Sequence, residues 1–120
     1  MAIRVKLLIK SRSSSKEVTV NALVNTGYET VKPQLLIPVS LARELGLWPP
    51  PSNRSLFREY FTSGGSIRNI LLEDELFVKV VVEYSTSEIL CDAVISTIED
   101  EVLISDKLAG KLGIIIYDIG

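Results

Sequence analysis

Val18-Thr19-Val20-Asn21-Ala22-Leu23-Val24-Asn25-Thr26-Gly27 decides how the chain is read. Val18, Val20, Ala22 and Val24 alternate with Thr19, Asn21, Leu23 and Asn25, a period of two that marks a β-strand with one buried face. The strand runs directly into Thr26-Gly27, where the chain turns. Upstream, Ile3, Val5, Leu7 and Ile9 alternate with Arg4, Lys6, Leu8 and Lys10 in the same way. The polar run Ser11-Arg12-Ser13-Ser14-Ser15 between the two strands is of hairpin length.

Downstream the pattern stays extended. Thr30 to Ile37 is interrupted by Pro33, which suits an edge or bent strand. Leu41 to Leu45 reads as a helix of one to two turns, with Ser40 capping its start, Gly46 closing its end, and Leu41 and Leu45 on one face. Trp48-Pro49-Pro50-Pro51 is a stiff, extended connection, with Trp48 either covering a barrel edge or offering a peptide-docking surface. Leu56 to Phe61, Ile67 to Leu72, Glu75 to Tyr84, Ile89 to Ile95 and Val102 to Ile104 read as strands, Glu75 to Tyr84 being rich in β-branched residues. Ser105 caps a second helix, Asp106 to Leu112, ended by Gly113, and Ile114 to Tyr117 is a final apolar strand. About eight short strands and two short helices make a mainly-β domain, a closed or partly open β-barrel over residues 1–120.

Composition narrows the chemistry. The chain has 120 residues, 47% hydrophobic, with a net charge of −2. Its mean hydropathy is +0.30 and its pI near 5.2. So much apolar material in so short a chain points to a homo-oligomer. No Lys/Arg cluster stands out, so neither nucleic acid nor membrane is an expected partner. The first residues mix charge into every second position, unlike a signal peptide or a membrane span, and an intracellular, cytoplasmic location is expected. There is no histidine and a single cysteine, Cys91, which excludes Ser-His-Asp and Cys-His catalysis and a His/Cys zinc site. Gly64-Gly65 lacks the lysine of a phosphate loop. No metal or cofactor is expected; carboxylate chemistry, or none, is left. Cys91 reads as a small buried apolar residue. Glu99-Asp100-Glu101 and Glu73-Asp74-Glu75 read as solvated turns, the second with some capacity for a cation.

The segment Ala22-Leu23-Val24-Asn25-Thr26-Gly27-Tyr28-Glu29-Thr30 resembles the active-site loop of the retroviral-type (retropepsin-like) aspartic peptidases, whose run is apolar-apolar-Asp-Thr/Ser-Gly-Ala-x-Thr/Ser. Asn25 stands at the Asp position, and Tyr28 where a small residue is usual. Two further elements follow in the family's order. Phe61-Thr62-Ser63-Gly64-Gly65-Ser66-Ile67 is placed like the glycine-containing flap hairpin, with Ser63, Gly64, Gly65 and Ser66 as the substrate-binding turn. Val102 to Gly113 is similar to the closing apolar pair and helix, with Ser105 replacing a Gly. The likeness covers residues 18–117.

The resemblance implies peptide hydrolysis by two carboxylates that face one water and share one proton, because two charges so close cannot both ionise. One such triplet per chain then requires a two-fold homodimer, with the site on the axis and an extended peptide or unfolded protein as substrate. In the family the Thr26 hydroxyl would stiffen the paired loops, and Gly27 would let the backbone turn sharply. The apolar ends, Ile3 to Ile9 and Ile114 to Tyr117, are the expected interface. Asn25 removes the chemistry: a carboxamide has no titratable proton near neutral pH and is no useful general base. None of Asp74, Asp92, Asp100, Asp106 and Asp118 precedes Ser/Thr-Gly to replace it. Asn25 is either an introduced replacement of Asp or the native residue of a fold that binds without cutting. An ordinary turn at 25–27, a non-catalytic peptide-binding module and a structural β-barrel oligomer are the competing readings.

Overall fold

The two alternating runs pair with each other. In a computed structural model, β1 (Ile3–Ser11) and β2 (Glu17–Val24) form an antiparallel hairpin, with Ile3 opposite Val24 and Lys10 opposite Glu17. The structure describes residues 3–25, 27–62, 65–84 and 86–114, and the side chains of these except at 58–62 and 65–67. Thr26, Ser63, Gly64 and the expected last strand beyond Ile114 lie outside the described residues. The remaining elements are β3 (Gln34–Pro38), α1 (Val39–Glu44), β4 (Leu56–Thr62), β5 (Gly65–Val80), β6 (Ile89–Ser96), β7 (Val102–Ile104) and α2 (Asp106–Lys111).

The sheet order is β1-β2-β7-β3-β6-β5-β4, and β1 also pairs with β5. That pairing closes a six-stranded barrel and removes its edges, while β4 extends β5 outward as a hairpin arm. Inward positions alternate as the period-two pattern demands. Leu7 and Ile9, Ala22 and Val24, Leu35 and Ile37, Cys91, Ala93 and Ile95, and Val102 and Ile104 fill the interior. α1 adds Leu41 and Ala42, the turn after it Leu45 and Leu47, and α2 adds Leu108 and Ala109. Trp48 packs against the same core, which favours the covering role over an open docking surface; the Trp48–Pro49 bond is cis.

Several expectations are corrected. Of the run Ile3 to Ile9 expected at an interface, Leu7 and Ile9 are fully buried inside the barrel, where β1 is paired on both sides, whereas Ile3 and Val5 are half-buried and lie in the part of β1 that pairs with β2 alone. β3 is not at an edge. It begins after Pro33 and lies between β7 and β6, so the proline's missing N–H falls outside the ladder. Ser40 does not cap α1. The helix starts at Val39 directly from extended Pro38, without a side-chain cap, and Ser40 is exposed in its first turn. Gly46 does close that helix, at a φ of +74° that favours glycine.

The two strands expected at 67–72 and 75–84 are one strand, β5, of 16 residues. Its break is a bulge: the three residues between Leu72 and Leu76 (Glu73, Asp74 and Glu75) are set against one on β6, Asp92, between Ala93 and Cys91. Asp74 takes the left-handed conformation there (φ +49°), and its N–H bonds to the Asp92 carboxylate at 2.9 Å rather than to the ladder. Glu73-Asp74-Glu75 is therefore not a solvated turn. Asp74 and Glu73, with buried Asp92, surround the Lys32 ammonium at 3.5, 3.6 and 3.2 Å. Glu75 is buried. No helix among the described residues is long and apolar enough to cross a membrane.

Candidate functional site

Asn25 follows the last residue of β2, where the parallel pairing with β7 ends at Val24 and Ile104. Its N–H continues that ladder one step, to the Ile104 carbonyl at 3.3 Å. The loop then closes on itself. The Asn25 carbonyl accepts from Tyr28 N–H at 3.0 Å, and the Asn25 side-chain oxygen accepts from Gly27 N–H at 3.0 Å. This is the local backbone capture that favours Asn at turns. Gly27 has no left-handed φ, and a β-carbon there would meet the Asn25 side-chain oxygen at 3.4 Å, an ordinary contact. Within one chain the turn therefore does not require glycine's conformational freedom, contrary to the expectation from sequence.

The loop is tied to what lies behind it. β7 sits between β2 and β3, and the loop joins those two strands across its end. Asp106 N–H donates to the Tyr28 carbonyl at 2.8 Å, and Thr30 N–H donates to the Asp106 carboxylate at 3.0 Å. Ser105 is the joint. Its hydroxyl oxygen accepts from Leu108 N–H at 3.2 Å, capping α2 as expected, and from Gln34 N–H at 3.1 Å, while its own N–H donates to the Gln34 carbonyl at 3.2 Å. The 25–30 loop and Gln34 are thus joined with the distant segment 104–108 in one hydrogen-bonded unit.

Of the flap residues, Gly65 and Ser66 begin β5 and pair with Thr62 and Phe61 of β4. That is a hairpin, as expected; the Ser66 side chain and Ser63-Gly64 lie outside the described residues. A feature not singled out in the sequence links hairpin and loop. Outward-facing Leu36, Leu71 and Val94, on β3, β5 and β6, form a second apolar cluster, and Tyr28 and Leu103 pack against it. The Tyr28 hydroxyl donates to the Gln34 side-chain oxygen at 3.1 Å. On the same face of β5 as Leu71 and two residues nearer the hairpin tip, Asn69 is 4% exposed. Its side-chain oxygen is buried with no hydrogen-bond partner. The Tyr28 ring in place of a small residue was the signal available in the sequence; Asn69 gave none.

Chemically, position 25 offers an amide and not a carboxylate base. The Asn25 oxygen is engaged by Gly27. Burial pushes the Cys91 thiol up, helped by the Asp92 and Asp74 charges, so it is no thiolate nucleophile. No family model matches the chain, and no curated protein matches it.

Proposed function

We propose that the chain is one subunit of a two-fold dimer built on the aspartic peptidase plan, with the Asn25 loops of two copies facing across the axis, inactive toward peptide bonds and able to hold an extended polypeptide. What carries the reading is the hydrogen-bonded unit of the 25–30 loop, Gln34 and Ser105. It fixes a turn bearing residue 25 at the end of a strand and braces it on the start of α2, as a catalytic loop of this kind requires. The order of loop, hairpin and closing helix along a closed barrel agrees with it. Val31, in the same loop, is 93% exposed, an apolar side chain offered to a partner.

The chemistry follows from residue 25. A pair of aspartates would supply one general base toward water and one donor toward the carbonyl oxygen. A pair of asparagines supplies neither. Asn25→Asp is therefore expected to raise cleavage of an unstructured protein substrate, assayed across pH 3–7, by about 10²-fold or more over the unaltered chain. Silence from a folded, dimeric Asn25→Asp protein would favour a binding module, and equal cleavage by both proteins would remove residue 25 from the chemistry.

A further inference from the structure

The apolar cluster of Leu36, Leu71 and Val94 does not belong to the barrel interior. These residues face outward from the sheet, where water or a partner would otherwise lie, yet they are no more than 7% exposed. Among the described residues, the partly buried apolar side chains that pack on them are Leu103 and Tyr28. Tyr28 is not part of the sheet; it comes from the loop after β2, three residues past Asn25. Leu71 is six residues from Gly65 at the hairpin tip. The ring therefore lies over an apolar surface spanning the Asn25 loop and the base of the hairpin.

Two polar features accompany this packing. The phenol is held by its hydroxyl on the Gln34 side-chain oxygen at 3.1 Å, so the surface accommodates an aromatic ring with a donor at its end. Beside the cluster, the buried Asn69 oxygen accepts from nothing, an arrangement that folded proteins avoid unless a donor arrives from elsewhere. A ligand lying along β5 would bring such donors in its own N–H groups.

We propose that Tyr28 is an internal plug: its ring occupies a pocket formed by Leu36, Leu71, Val94 and Leu103 that takes an aromatic side chain of an extended peptide when the ring withdraws. The pocket stands on the packing alone; the peptide as natural occupant rests on the function proposed above. Asn25→Asp supplies a carboxylate but leaves this pocket filled. Cleavage at full rate then needs both changes.

The test uses the full chain as wild type, Tyr28→Ala, Tyr28→Phe, Asn25→Asp and Asn25→Asp/Tyr28→Ala. Phenol, the fragment that Tyr28→Ala deletes, is titrated while the methyl resonances of Leu36, Leu71, Val94 and Leu103 are followed. Saturable shifts are expected in Tyr28→Ala and none in wild type or Tyr28→Phe, which keeps the ring. A folded Tyr28→Ala protein whose methyl resonances ignore phenol overturns the pocket, as does equal binding by wild type. If Tyr28→Ala folds only with phenol present, a melting temperature that climbs with phenol reads the same site, and failure to fold at any phenol concentration overturns it. With unfolded casein, the double variant is expected to cut at least tenfold faster than Asn25→Asp. Equal cutting overturns the plug and leaves the dyad reading intact. No cutting by either removes the dyad reading and the peptide occupant with it, while phenol alone decides the pocket.

Discussion

Glu75, at the bulge of β5, and Asn25, at the end of β2, both turn a polar side chain back into the chain, and they differ in everything else. Glu75 is a carboxylate, 1% exposed, whose oxygens receive the Arg54 guanidinium at 2.6 Å, the Ser11 and Ser13 hydroxyls at 2.8 and 3.0 Å, and the Ser13 N–H at 3.0 Å. Asn25 is a half-buried amide that answers one N–H of its own loop. The charge-bearing acid is thus fully matched at the Ser11 end of β1, and the neutral one sits beyond Val24, which pairs with the opposite end of that strand. A carboxylate surrounded by donors is a structural tie. A catalytic one must keep an oxygen open for water, and the proposed function assigns that position to residue 25, whose amide oxygen here accepts from Gly27 N–H.

Substituting the two residues should separate these roles. Glu75→Gln keeps the shape but strands a guanidinium and three donors around a neutral amide. A loss of about 3 kcal/mol is expected in urea unfolding, at the low end for a broken buried ion pair because Arg54 is itself 39% exposed. A loss under about 1 kcal/mol, the size of an ordinary surface effect, would show that the Glu75 tie is not structural.

The pH dependence sharpens the same contrast. Burial pushes the Glu75 carboxyl up, but the Arg54 guanidinium and the serine donors outweigh it and hold the group below its usual value of 4.5. A depressed folded-state pKa means that the stabilisation is fully present above 4.5 and is lost as the pH falls through the folded-state value. Wild-type stability should drop on acidification below that point, and Glu75→Gln should flatten this part of the curve. Parallel curves for the two proteins would assign the acid sensitivity elsewhere. Lys32 has the opposite sign. Its hydrogen bond to Asp92 raises it, against a smaller opposing effect of burial, so its contribution is present below 10.5 and fades at higher pH.

Ser105→Ala tests the brace behind the Asn25 loop. The substitution removes the acceptor for both Leu108 N–H and Gln34 N–H, so a loss of about 1–2 kcal/mol is expected by thermal unfolding. Faster amide exchange at Gln34 should accompany it, and unchanged exchange there would break the link between helix and loop. The smallest effect belongs to Gly27→Ala. With an ordinary backbone conformation and a 3.4 Å contact, it should leave stability unchanged or raise it by up to about 1 kcal/mol, and a clear loss would show that the turn needs glycine after all.

Much of this arrangement was legible in the sequence. The alternation of β1 and β2, the apolar runs of β6 and β7 and the Ser105 cap are local signals, and each was realised within a residue or two. What was not legible depends on partners distant in the chain. Glu73-Asp74-Glu75 looks like a turn by composition, and only Arg54, Lys32, Asp92 and the serines of the first hairpin make it the middle of a strand. Ser40 is a good cap by type, but the preceding strand runs straight into the helix and moves its start ahead of that residue. At the candidate site the triplet itself could be read, whereas the joint through Gln34 and Ser105 and the outward cluster under Tyr28 arise from strand order, which no local pattern states.

The most direct measurement is the titration of the residue-25 carboxyl in Asn25→Asp, followed by carbon-13 NMR on the labelled aspartates. Two such groups meeting across a two-fold axis share a proton, so they should titrate in two steps, one well above the ordinary aspartate value of about 3.9. A single step near that value, from a folded protein, would contradict the pairing of the two loops on which the proposed function stands.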